Sequence, residues 1–275
     1  MGLRVNSNIS SVAAQRHLAV VTDRLSGNYQ RLASGMRIAS AADDPAGLGV
    51  SERMRAQLKS LSQAARNGQD GVSLVQTAEG ALNEANASLN RMRELAVAAA
   101  NGTLNSGDRT TLDAEFQALL NEIDRLADTT EFNGVNLLNA AGGTIDIQIG
   151  TEQGEVISLS LADTSTTGLG LSLTTFDITT VTNASATLAT IDSAIDQLTQ
   201  TRGGLGAAQN RLNTAIRSLQ NANQNLAAAE SRIRDVDVAL ETADLTRNTI
   251  LQQAAVSVLS QANAQPQIAL SLLQG

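Results

Sequence analysis

The sequence predicts a mainly α fold: long antiparallel coiled-coil helices with one small β-hairpin. Three observations predict it. Two segments place apolar residues seven apart over many turns, and between them lie two short runs in which apolar residues alternate. The composition is rich in Ala and Leu but holds only three Phe, one Tyr and no Trp, which suits narrow seams between close helices better than a wide globular core.

In chain order, Leu18, Leu25 and Leu32 recur every seven residues, with Val21, Tyr29 and Met36 beside them, and predict an N-terminal helix with a narrow apolar stripe. The stretch 41–47 reads as a stop and restart, with Asp44 capping the next helix and Pro45 in its first position, where a missing N–H costs nothing. A first long heptad series follows at Leu61, Gly68, Val75, Leu82, Leu89 and Ala96, each accompanied three residues later by Ala64, Gly71, Ala78, Ala85, Met92 and Ala99. A period of 3.5 residues held this long means helices wound around one another, with Leu of one over Ala of the next.

Leu112, Leu119 and Leu126, widened by Phe116 and Ile123, predict a shorter helix with Asp108 as its N-cap. Ile145, Ile147 and Ile149 alternate, as do Ile157, Leu159 and Leu161, and the Gly150–Gly154 stretch between them predicts a hairpin at about 144–162. From Thr164 to Thr187, Thr, Ser and Gly without period predict an exposed turn-back. The second heptad series runs Ile191, Leu198, Leu205, Leu212, Leu219, Leu226, Ile233, Leu240, with Ala194, Thr201, Ala208, Ala215, Ala222, Ala229 and Val236 as companions. Gly203, Gly204 and Gly206 inside it suggest a kink or a close backbone contact. Leu251 and Val258, with Ala254, Ala255 and Ala262, predict a C-terminal helix. Narrow stripes flanked by Asn, Gln, Ser and Thr leave both end helices in need of a partner, so the terminal helices are expected to be loose in the monomer and to pair on assembly.

The residues offer little chemistry. Without Cys there is no disulfide, thiolate nucleophile or ordinary zinc site, and His17 is the single histidine, with no catalytic partner in the pattern. Gly203-Gly204-Leu205-Gly206 has the wrong spacing for a phosphate loop, and Asp235, Asp237 and Glu241 lack the turn glycine of a calcium loop and read as a solvated helix face. These patterns predict no catalytic residue, no metal and no cofactor. Nineteen basic against 27 acidic residues argue against nucleic acid. No run reaches the ~20 apolar residues of a membrane span, and the first residues lack the apolar centre of a secretory signal.

Four stretches resemble the bacterial flagellins: RLASGMRIASAADDPAGLGVSERMRAQ from Arg31, NRMRELAVAAANGT from Asn90, LNEIDRLADTTEFNGVNLL from Leu120, and the run from Ser231 to Gly275. Together the likeness spans about 1–173 and 188–275. It implies a structural subunit that polymerises into the flagellar filament for swimming, and not an enzyme. On that likeness, 1–44 and 236–275 are inner-tube helices. Residues 45–173 and 188–235 form a core rod, and a short turn-back at 174–187 replaces the outer domains of larger relatives.

The likeness places Leu18, Leu25, Leu32, Leu251 and Val258 in subunit packing, and Leu61, Val75, Leu82, Leu89, Leu198, Leu205, Leu212, Leu219 and Leu226 in the rod seam. The partners it implies are further copies of the chain, an export chaperone, the type III export apparatus, the filament cap and hook-associated junction proteins. It also implies an extracellular filament exported without a cleaved signal. A host innate receptor would meet Arg91, Leu95 and Glu115, and a cytosolic sensor would meet Leu270, Leu272 and Leu273. The alternatives are a hook–filament junction protein, with similar ends, and a cytoplasmic coiled-coil scaffold.

Overall fold

The computed structural model describes residues 7–139, 143–171 and 176–273, without the side chains of 267–273. The boundary expected at Leu173 and the residues Leu270, Leu272 and Leu273 lie outside the described backbone or side chains. Among the described residues the order is α1 (Ile9–Ser34), α2 (Pro45–Ala99), α3 (Ser106–Thr129), β1 (Glu131–Phe132), β2 (Val135–Asn136), β3 (Thr144–Gln148), β4 (Val156–Ser160), α4 (Val181–Arg234) and α5 (Val238–Leu273). The chain divides into two compact units, 57–224 on one side and 1–56 with 225–275 on the other. The divisions fall within α2 and α4, at neither 44/45 nor 235/236.

In the 57–224 unit, the first heptad series is the floor of the core. Val75, Leu82, Leu89 and Ala96 are fully buried together with Ala78, Ala85, Met92 and Ala99. Each buried Leu removes enough apolar surface from water to contribute roughly 1.5–3 kcal/mol. Phe116, Leu120, Ile123 and Ala127 of α3 and Ile191, Ala194, Leu198, Leu205 and Leu212 of α4 close the same cluster. Leu61 and Leu219 are only half-buried. Past Leu212 the α4 seam passes to Ile216, which is buried, while Ala222 is exposed. An ordinary 3.6-residue helix drifts about 20° per heptad away from a strict seven-residue stripe, and that drift replaces the expected companions.

The N-cap of α3 is Asn105, not Asp108. Asn105 Oδ1 accepts from Asp108 N at 2.8 Å while Asp108 Oδ2 accepts from Asn105 N, a capping box with the acid three residues inside the helix. Strands β3 and β4 pair antiparallel with Ile147 opposite Ile157 and Ile145 opposite Leu159, so one face carries the apolar residues and the other Asp146, Ser158 and Ser160. A second pair, β1–β2, turns through Asn133 (φ 51°) and Gly134 (φ 78°), the left-handed pair that a two-residue hairpin demands.

The expected exposed turn-back is largely packed. Thr164, Thr166, Leu169, Leu171 and Ile178 are buried, and α4 begins at Val181, ahead of position 188. Asp124 on α3 accepts from both N and Oγ1 of Thr166, and Asp113 accepts from Ile178 N at 2.9 Å. These bonds satisfy a segment that has no ladder of its own. Helix α4 runs through Gly203, Gly204 and Gly206 without a break, and a Cβ at any of the three would meet nothing within 4 Å.

In the other unit, α1 ends at Ser34, ten residues before the expected stop, because Gly35 adopts φ 71° and donates back to Arg31 O. Asp44 does cap α2, accepting from Ala46 N and Gly47 N, with Pro45 as first residue. Residues near Met36 and Asp235 form a short antiparallel bridge: Arg37 N donates to Arg234 O at 2.6 Å and Val236 N to Gly35 O at 3.0 Å. The heptad series therefore does not reach Leu240. Helix α4 stops at Arg234, and Leu240 is exposed on α5, whose first turn is capped by Asp237.

A candidate assembly surface on the terminal helices

Helices α1 and α5 pack antiparallel in a single chain. Asn8 Nδ2 donates to Ala262 O at one end, and Asn28 Nδ2 donates to Glu241 Oε1 at the other. On α1 the inward positions are Ser11, Ala14, Leu18, Val21, Leu25, Asn28 and Leu32, a heptad stripe of which Leu25 and Ala14 are buried and Leu18 and Leu32 half-buried. Tyr29, expected on this stripe, is exposed, and Asn28 occupies the inward place.

On α5 the inward positions are Glu241, Leu245, Asn248, Gln252, Ala255, Leu259 and Ala262. Leu251 and Val258 are not on this seam. They are 43% and 59% exposed, beside Ile250 at 60%. Glu241, expected on a solvated face, is buried, with its carboxylate held by Asn28 and 3.9 Å from Arg31.

The two helices are thus paired, yet much of their apolar surface is uncovered. Ile9, Val12, Val20, Tyr29, Val238, Leu240, Ile250, Leu251, Val256 and Val258 are exposed; among the described residues the other large apolar side chains in this state are Val97, Val135, Val156 and Val181. On α5 apolar side chains are spread around the helix rather than gathered in one stripe, interleaved with Asn, Gln, Ser and Thr, and from position 248 to 275 the chain carries no charged side chain. A helix of this kind is stable in water only when buried on several sides.

Among the described residues no cluster of His, Asp and Glu is placed to hold a metal, and no helix is long and apolar enough to cross a membrane. His17 is exposed on α1. Arg91 and Glu115 meet, with Arg91 NH2 2.8 Å from Glu115 Oε1 and its NH1 3.0 Å from Glu94, and these hydrogen bonds raise the guanidinium pKa. Leu95, expected to join them in a receptor contact, is buried in the core.

Residues 5–142 match the family model for the bacterial flagellin N-terminal helical region, and 188–273 match that for the C-terminal helical region. The chain belongs to the bacterial flagellins. It is 46% identical to the flagellin of Halalkalibacterium halodurans over 270 residues, covering 98% of this chain and 99% of that one. It is 40% identical to the flagellin of Bacillus subtilis over 304 residues, covering 99% and 100%. The crystal structure of Bacillus cereus flagellin, 35% identical, superposes with a TM-score of 0.51 over 60% of this chain and 94% of that one. As a flagellin the protein is a structural subunit that polymerises into the flagellar filament, and it is not an enzyme.

Proposed function

We propose that this flagellin polymerises through the faces that the α1–α5 pair leaves uncovered, each copy covering the exposed stripe of its neighbours. The observation that carries the reading is the concentration of exposed apolar side chains on these two helices, from Ile9 to Tyr29 and from Val238 to Val258. Covering them on incorporation makes the polymer stable while the net charge of −8 keeps the free subunit soluble. Contacts between unlike faces of successive copies do not close and so yield an open helical filament.

In this reading 1–44 and 236–275 form the inner tube and the helices between them the surrounding rod. Leu18, Leu25 and Leu32 hold the α1 side of the pair, while Leu251 and Val258 face neighbouring copies. Export through the type III apparatus with a chaperone on the C-terminal helix, and contacts with cap and hook-associated proteins at the filament ends, complete the set of partners. A host receptor contact at Arg91 and Glu115 would have to work around their mutual ion pair.

Electron microscopy of the full chain, before and after seeded polymerisation in salt, tests this directly against a truncation lacking 1–40 and 240–275. Long filaments from the full chain and none from the truncation are expected. Filaments of normal length from the truncation would place assembly elsewhere.

A further inference from the structure

Strand β4 has a free edge. The bonds from Ile149 N to Glu155 O and from Leu161 N to Gly143 O fix which main-chain groups of the hairpin face each other. The odd-numbered residues of β3 and β4 bond across the pair, and the even-numbered ones point their N–H and C=O outward. On the β3 side α2 reaches that edge, where Asn67 Nδ2 donates to Gln148 O. On the β4 side Ser158 N and O, Ser160 N and O, and Val156 O meet no partner among the described residues. These three residues are exposed, and the edge carries no Lys, Pro or bulge of the kind that guards a strand against further pairing.

Beside this edge there is open room. A trough of about 680 Å³ lies between β4 and α4, walled by Ser158 and Ser160 on one side and by Thr201, Gly204 and Ala208 on the other. Gly203, Gly204 and Gly206 each cost α4 about 1 kcal/mol in helix propensity, yet a Cβ on any of them would meet nothing within 4 Å. At Gly71 of α2 the same cost admits Ile147, whereas at Gly204 nothing in the chain uses the room.

A free row of alternating donors and acceptors fits an extended main chain laid alongside it. The edge is about 17 Å long, enough for about five residues. Arg211 stands where the trough continues toward the hairpin tip; it is exposed and makes no ion pair or hydrogen bond among the described residues. The acids at the rims are engaged in their own turns, Asp163 with Ser165 and Glu155 with Glu152 N. Arg211 therefore favours an occupant that brings a carboxylate. A second copy of this chain suits that chemistry, since residues 57–224 hold nine basic and eighteen acidic residues and every subunit of a polymer has copies at its sides.

We infer that the β4–α4 trough is an interface between copies: as the filament forms, an acidic extended segment of a second copy adds to the edge of β4 over Gly203 and Gly204. The inference rests on polymerisation itself and not on the terminal-helix faces proposed above.

Amide exchange of the full chain tests it, compared between the free subunit and its filaments, quenched in dimethyl sulfoxide and read residue by residue by NMR. Ile157 and Leu159, bonded within the hairpin, are expected to be protected in both states and serve as the internal reference. Ser158 and Ser160 are expected to exchange fast in the free subunit and at least about a hundredfold slower in the filament. Fast exchange of both in the filament overturns the inference and leaves the edge open to another protein. Variants give a second readout. S158P removes one outward N–H, a change that an edge strand tolerates, and G204L fills the trough. Both are expected to keep the fold of the free subunit and to grow from wild-type seeds about tenfold more slowly, while S158A, which retains the N–H, grows like the parent. Growth of G204L at the parent's rate overturns the inference as well. Filaments of normal length from the terminal truncation would defeat the terminal-helix reading alone, and the contrast at Ser158 and Ser160 would persist in them.

Discussion

A Cβ placed on Gly71 would overlap Cδ1 of Ile147, the inward residue of β3. The hairpin rests on α2 at this point, with Asn67 Nδ2 donating to Gln148 O one turn earlier. One turn earlier too, a Cβ on Gly68 would come within 2.9 Å of Ile216 on α4. Two glycines in one helix thus admit a strand and a second helix to close approach, at the usual cost in helix propensity of about 1 kcal/mol each.

Glycine substitutions along α2 should therefore differ in sign. Gly71→Ala is expected to lower unfolding stability by about 1 kcal/mol, overpacking outweighing the gain in propensity. Gly80→Ala, where a Cβ meets nothing within 4 Å, should raise it by a similar amount, about 1 kcal/mol. Urea unfolding of both variants decides the matter; equal shifts would show that the hairpin does not need the space.

The cap of α3 gives a second contrast. Asn105→Ala removes the side chain that holds Asp108 N and should cost about 1 kcal/mol. Asp108→Ala leaves that bond in place and should cost less, and the double variant should lose less than the sum, since the two side chains share one motif. A thermal denaturation cycle on the four proteins measures the coupling.

Arginines should divide by burial. Arg109 is buried, and its guanidinium donates to Ala99 O at 2.8 Å and Asn101 O at 2.9 Å, closing the C-terminal end of α2 from α3. Its replacement by Met should cost about 1.5–3 kcal/mol, the range for bonds to a charged group. Arg93, paired with Asp192 at 2.6 Å but half exposed, should cost clearly less when replaced by Ala, because water and salt screen an exposed pair. Chemical unfolding of the two variants side by side checks the order.

A pH dependence follows from Asp177, whose carboxylate accepts from Asn183 Nδ2 and from Thr179 at the entrance to α4. These bonds, that from Asn183 foremost, hold its pKa below the ordinary value. A depressed folded pKa means that the stabilisation is complete above the unfolded pKa of about 3.9 and is lost as pH falls through the lower folded value. The urea midpoint of the parent should exceed that of Asp177→Ala by a constant margin from about pH 7 to 5 and by a shrinking margin below about pH 4. A margin that grew on acidification would contradict the assignment.

The two heptad series were legible because a buried seam imposes the same spacing on the chain that it has in space: Val75, Leu82 and Leu89, like Leu198, Leu205 and Leu212, sit where their period puts them. The 144–162 hairpin and the Asp44–Pro45 helix start were legible for the same local reason. The Asn133-Gly134 turn, which was not expected, carries its signal in the dipeptide itself. The end of α1 at Gly35 was masked by an apolar stripe that runs on to Met36.

The sequence by itself determined the helical architecture, the lack of catalytic chemistry and, through its motifs, the family. Tertiary structure alone decided which faces meet. Leu251 and Val258 keep a seam-like period yet stay outside, while Glu241, Asn28 and Asn248 go in, because hydrogen-bond partners from two distant helices satisfy one another only once those helices are side by side. Leu95, in a patch expected at the surface, turns into the core for a like reason: period assigns a residue to a stripe, but the neighbour that covers the stripe comes from elsewhere in the chain.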